Sequence, residues 1–209
     1  MFLAGASFMA GFSGALMPGT VFVVVVLQAA RRGWKVGPQI VLGHGVLEVA
    51  LEMALVLGLS AFIGVQLVRT VVGFVGGAFL LWMSLGLLKA SRHAEFPATI
   101  NGSKSVSSHP VLSGLLASSV NPYFYVWWAT VGNMFTVKGL GIAGLIGVAV
   151  FFLSHWMSDL SWYTFLSWSV SKSRRYMTDH VYRIVLGACG IFLVILGFIF
   201  VYGAMSGDI

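Results

Sequence analysis

A chain of 209 residues that is 58% hydrophobic and only 9% charged, with a mean hydropathy of +0.95, does not fit a water-soluble globular domain. The formal net charge of +6 would suit a nucleic-acid partner in a soluble protein. In so apolar a chain it reads instead as basic loops gathered on one side of a bilayer, and no nucleic acid is expected. The single cysteine, Cys189, excludes an internal disulfide and any multi-cysteine metal site.

Apolar stretches follow one another near 2–30, 39–65, 70–90, 111–136, 139–169 and 184–205, each reaching the ~20 residues that span hydrocarbon as a helix. Met1 to Ala15 has no basic leader and its apolar pattern continues past Pro18 to Ala30, so it reads as the first spanning helix and not as a cleaved signal. The breaks fall at Arg31–Lys35, around Gln66 and Arg69, at Ser91–Pro110, at Lys138–Gly139 and at Ser171–Arg183. Open sheet edges are not tolerated in lipid, and the alternation of a membrane barrel is missing, so the expected fold is an all-α integral membrane protein with six transmembrane helices.

Arg31, Arg32, Lys35, Lys89, Arg92, Lys104, Lys172, Arg174, Arg175 and Arg183 lie in or beside the odd loops, against Arg69 and Lys138 on the other side. The positive-inside rule then places the odd loops in the cytoplasm and both termini outside, in a multi-pass plasma-membrane protein. Residues 1–90 and 111–209 form two three-helix units, joined by a polar cytoplasmic linker at 91–110.

The two units match. His44 is followed four residues later by Glu48, and His155 by Asp159; Gly76 and Gly86 answer to Gly187 and Gly197 at the same spacing. Pro18-Gly19 in the first helix answers to Asn121-Pro122 in the fourth. Three helices per unit make any such match an inverted repeat.

Glu48 and Asp159 each lie about ten residues from a cytoplasmic helix end, hence ~15 Å deep in a ~30 Å core, and Pro18 and Pro122 come out at a similar depth. A carboxylate there costs ~2.5–3.5 kcal/mol on insertion scales and is tolerated where it meets a cavity or a partner. The bland alternative is that each acid is satisfied by the histidine one turn away. Glu52, a turn beyond Glu48, either lines the same route or reaches toward the outer surface. Proline steps in mid-membrane free backbone groups that bond to neighbours or to cargo, with Thr20 and Asn121 at hand to supply hydrogen bonds. Trp127 and Trp128 read as packing first and as a stacking surface for a ligand second. Gly73, Gly76, Gly77, Gly187, Gly190 and Gly197 suit close helix contact; Trp34 and Trp168 sit where an interfacial belt belongs.

At Pro18-Gly19-Thr20, Leu47-Glu48, Asn121-Pro122-Tyr123 and Ser158-Asp159 the chain resembles the LysE/RhtB family of amino-acid exporters over almost its whole length. That family is marked by Pro-Gly-Pro, Gly-Asp, Asn-Pro-Lys and Gly-Asp steps at these places. Arg31-Arg32-Gly33 followed by Gly37 is similar to its first cytoplasmic loop. Thr20, Tyr123 and Glu48 depart from the family pattern, all around the expected cavity.

The resemblance implies a secondary transporter exporting an amino acid or similar small zwitterion by proton antiport with alternating access. Glu48 and Asp159 would take the ammonium or the proton, with His44 and His155 tuning them, and the backbone around Pro18, Gly19, Thr20, Asn121 and Pro122 would hold the carboxylate. The alternative is a divalent-cation exporter for a cadmium- or zinc-like ion, with His44, Glu48, His155 and Asp159 as ligands. An enzyme is not expected: Ser154, His155 and Asp159 on one helix do not converge as a triad. No cofactor is expected; the partners are the small-molecule substrate, protons and the lipid bilayer, and a homodimer is left open.

Overall fold

The structure is a computed structural model, and it describes residues 2–59, 66–93, 109–173 and 178–206. Most of the expected linker at 91–110, together with Lys104, Arg174 and Arg175, lies outside the described residues. All regular structure among the described residues is helical: α1 (Phe2–Ala15), α2 (Thr20–Arg32), α3 (Val36–Ala54), α4 (Gln66–His93), α5 (Pro110–Ser119), α6 (Pro122–Trp127), α7 (Asn133–Ser173) and α8 (Asp179–Ser206). Single π-helical turns at Leu55–Leu59 and Trp128–Gly132 extend α3 and join α6 to α7. Among the described residues four helical runs are long and apolar enough to cross a membrane, five if α1 and α2 count as one broken span.

The first stretch does not run straight. Pro18 and Gly19 interrupt it, and α1 and α2 meet at 77°. Proline removes the donor that would continue α1, and α2 restarts from an extended Gly19. Gly33, at φ 88°, ends α2 and donates its N–H to the Ala29 carbonyl, a positive-φ conformation that glycine adopts without steric cost.

Two expected breaks fall elsewhere. Gln66 and Arg69 belong to the start of α4. The break expected at Lys138–Gly139 lies instead at Ala143–Gly144, where Ala143 (φ −149°) and Gly144 (φ 58°) leave helical geometry. Gly139 and Gly147 then come into backbone contact, so near that a Cβ on Gly139 would lie 2.9 Å from the Gly147 carbonyl carbon. Eight residues of straight helix span ~12 Å, so this contact requires the chain to fold back on itself within α7.

Backbones approach closely where glycines face one another. A Cβ on Gly43 would collide with the Val111 carbonyl and one on Gly114 with the Ile40 carbonyl, which locks α3 against α5. Gly77 and Gly197 cross in the same manner between α4 and α8, the most extensive helix pair. The remaining main pairs are α1 with α7 and α3 with α7. Around α2, the buried residues Val21, Val25, Ala29 and Ala30 pack with Ile40, Val41, Ala117 and Tyr163, while Phe124, Trp127, Trp128, Phe135 and Phe151 form a second, aromatic cluster.

A candidate site at the two helix breaks

His44 and Glu48 lie one turn apart on the buried face of α3, and His155 and Asp159 one turn apart on α7. Gly45 packs against the Trp156 ring, which draws these two faces together. The result is a ring of four groups. His44 Nε2 lies 3.2 Å from Glu48 Oε1 and 3.8 Å from Asp159 Oδ2. His155 Nε2 lies 2.7 Å from Glu48 Oε1 and 3.3 Å from Asp159 Oδ2. Each imidazole therefore faces both acids, and the shortest contact is made between helices and not within one.

Glu48 is fully buried and Asp159 is 2% exposed. Two carboxylates here are balanced in charge when both imidazoles carry their second proton, and every proton that leaves the ring changes its charge by one unit. Buried charges are tolerated when paired in this way. Satisfaction is incomplete: among the described residues neither Glu48 Oε2 nor Asp159 Oδ2 has a hydrogen-bond partner of good geometry.

The imidazoles are held from behind. His44 Nδ1 lies 2.6 Å from Ser118 Oγ, and that hydroxyl donates to the Gly114 carbonyl at 2.7 Å. Ser118 has one hydrogen, so both bonds are made together when His44 Nδ1–H donates to Ser118, which leaves Nε2 for Glu48. Trp127 stacks on His155 with centroids 4.5 Å apart, and Trp128 meets it edge-on at 5.5 Å. Phe124 meets His44 edge-on at 5.2 Å. Ser118 and Phe124 are not among the expected site residues, and Trp127, read as packing first and as a ligand-stacking surface second, stacks on His155 instead; a serine and aromatics in apolar helices carry no spacing signal.

The four ring groups, with Phe124, Trp127 and Trp128, line a narrow pocket of about 30 Å³, together with Gly14, Ala15, Met17, Gly19, Val21, Asn121, Tyr123 and Tyr163. The two breaks abut here, with the Asn121 amide against Gly19: a Cβ on Gly19 would lie 3.1 Å from Asn121 Nδ2. Their helix starts differ. Asn121 Oδ1 accepts the Tyr123 N–H and caps α6, whereas Gly19 gives α2 no side-chain cap. The first bond of α2 runs from the Val23 N–H to the Gly19 carbonyl, so the N–H groups of Thr20, Val21 and Phe22 precede any helical acceptor. Asn121, having used its oxygen on the cap, keeps its NH₂ for the pocket.

The other expected residues are placed differently. Thr20 donates to the Ala117 carbonyl at 2.6 Å and lines a separate groove with Val23, Val24 and Trp82. Pro18 is half-buried at the bend, and Pro122 opens α6. Tyr123, at the position of the family's lysine, donates to the Ser13 carbonyl, and Trp127 Nε1 donates to Ser13 Oγ. Glu52 does not reach toward the surface: it is 6% exposed and lies 2.8 Å from Thr136 Oγ1.

A family model for the LysE type translocator matches residues 12–204. No curated protein and no solved structure matches the chain.

Proposed function

The chain belongs to the LysE type translocator family and is a membrane transport protein, and we propose that it exports an amino acid or similar small zwitterion in exchange for protons. The observation that carries this reading is the ring of Glu48, Asp159, His44 and His155 in one pocket at both helix breaks. A zwitterion needs an anionic and a cationic end within one small cavity. Glu48 and Asp159 supply the first, for the ammonium or the counter-moving proton. The uncapped start of α2, with the Asn121 amide beside it, supplies the second, because free N–H groups at a helix N-terminus favour a carboxylate.

Cargo and proton compete for the same carboxylates. Binding of the ammonium displaces protons from the ring; release on the outer side lets protons return, and that exclusion couples the two flows. The reading takes α1–α2, α3, α4, α5 through the first part of α7, the rest of α7, and α8 as six crossings arranged as two inverted units. In its support, α1 packs on α7 as α5 packs on α3, and Gly45 meets Trp156, its own counterpart in the second unit. Alternating access would then tilt one unit against the other about the ring.

The test is efflux from proteoliposomes loaded with the proteinogenic amino acids under an inward proton gradient. At least one amino acid leaves faster than from protein-free vesicles, and Glu48→Gln and Asp159→Asn each slow it by about tenfold or more, ~1.4 kcal/mol or more in barrier. Efflux that both variants leave unchanged would remove the acids from the mechanism.

A second reading, a divalent cation as cargo, is favoured by one fact: His44, Glu48 and Asp159 offer ligand atoms within 4.8 Å of one another. Thermal stabilisation by cadmium or zinc that disappears in His44→Ala would place it ahead of the first.

A further inference from the structure

We propose that Glu52 is a second proton-binding carboxyl, set one helical turn beyond Glu48 and holding its proton against Thr136, from which protons pass to Glu48 during export. The route rests on the function proposed above; the state of the side chain does not.

Thr136 Oγ1 lies 2.8 Å from Glu52 Oε2 and 2.9 Å from the Gly132 carbonyl. A carbonyl can only accept, and threonine has one hydroxyl hydrogen. Both contacts are full two-centre hydrogen bonds at once, with no sharing of that hydrogen, when Thr136 donates to Gly132 and Glu52, as a neutral acid, donates to Thr136.

Burial points the same way. Glu52 Oε1 is buried without a hydrogen-bond partner among the described residues, a costly state for an ionised oxygen and a lesser one for the carbonyl of a neutral acid. Glu48, four residues earlier on the same face, already carries the charge that His44 and His155 compensate. Two like charges one turn apart are unfavourable.

The charged and titratable groups that face this stretch from the packed helices are His155 and Asp159 of α7, with His44 and Glu48 on α3 itself; His155 is within electrostatic reach of Glu52. Among the described residues no lysine or arginine stands with them to fix Glu52 as a carboxylate. Four residues of helix place Glu52 ~6 Å nearer the outer surface than Glu48, on the side from which an incoming proton arrives. The step is a simple transfer: the O–H bond of Glu52 breaks and one forms on Glu48. Glu52, now a carboxylate, accepts the Thr136 hydrogen until a proton from outside refills it.

Two measurements test this. The infrared spectrum of the purified protein in lipid nanodiscs at neutral pH contains the carbonyl stretch of a protonated carboxylic acid that Glu52→Gln removes; identical spectra in that region would overturn the proposal. In proteoliposomes loaded with isotopically labelled proteinogenic amino acids, Glu52→Gln lowers gradient-driven efflux by about tenfold or more. Exchange of labelled for unlabelled amino acids at equal pH stays within about twofold. If exchange falls together with efflux, Glu52 is a packing group and the relay is wrong. If Glu48→Gln changes neither, it is the proposed function that fails, and the infrared result still decides the state of Glu52.

Discussion

Ser118 illustrates how much of the site is carried by groups outside the ring. Among the described residues its oxygen is the partner of His44 Nδ1, and Ser118→Ala leaves that buried N–H unpaired at a cost of about 1–3 kcal/mol. Thermal unfolding in detergent reads the loss; an unchanged midpoint would show that His44 is held by its acids alone. The His-x₃-acid spacing made the pairs on α3 and α7 legible, because four residues bring side chains onto one helix face. That His155 lies nearer Glu48 than its own Asp159 was not legible, since it depends on how α3 and α7 cross. Nor was the direction of Thr20, whose hydroxyl goes to Ala117 and so leaves the pocket to the α2 backbone.

Among the helices, close approach is decided by glycine, and only at some glycines. Gly43→Ala or Gly114→Ala forces α3 and α5 apart and lowers stability by about 1–3 kcal/mol. At Gly86 a Cβ would meet nothing within 4 Å, so Gly86→Ala is neutral or stabilising by up to ~1 kcal/mol. The same detergent unfolding assay separates the two cases. Hydropathy finds the apolar stretches as helix, of which four or five runs among the described residues are long enough to cross a membrane, yet it puts the fourth break at Lys138–Gly139 because a charge stands there. Lys138 does not stop a helix; it sits with its ammonium 5.7 Å from the Phe2 ring centre. The reversal needs a positive φ and waits for Gly144, one of many glycines in an apolar run and so invisible to hydropathy.

For the whole molecule, the basic loops give an orientation that labelling can check. In a Cys189→Ser background, a membrane-impermeant maleimide added to intact cells reacts with Ala143→Cys, and with Lys35→Cys only after permeabilisation. Both positions are exposed, and the opposite pattern would invert the topology. Transport class and helical membrane architecture were legible because composition and a handful of motifs carry them. The intimacy of the two halves was not, because helix pairing leaves no trace in a hydropathy profile. Every major contact joins one half to the other: α1 and α3 to α7, α3 to α5, α4 to α8.

That interleaving bears on how the chain is made. Asp159 and His155 leave the ribosome roughly a hundred residues after Glu48, some ~5–20 s later at ordinary synthesis rates. Until then Glu48 and Glu52 have neither the second imidazole nor Thr136, and lipid is a poor host for bare carboxylates. The nascent amino-terminal half therefore enters the bilayer with its acids neutral or waits at the translocon for its other half, and the ring is complete only when α7 docks against α3.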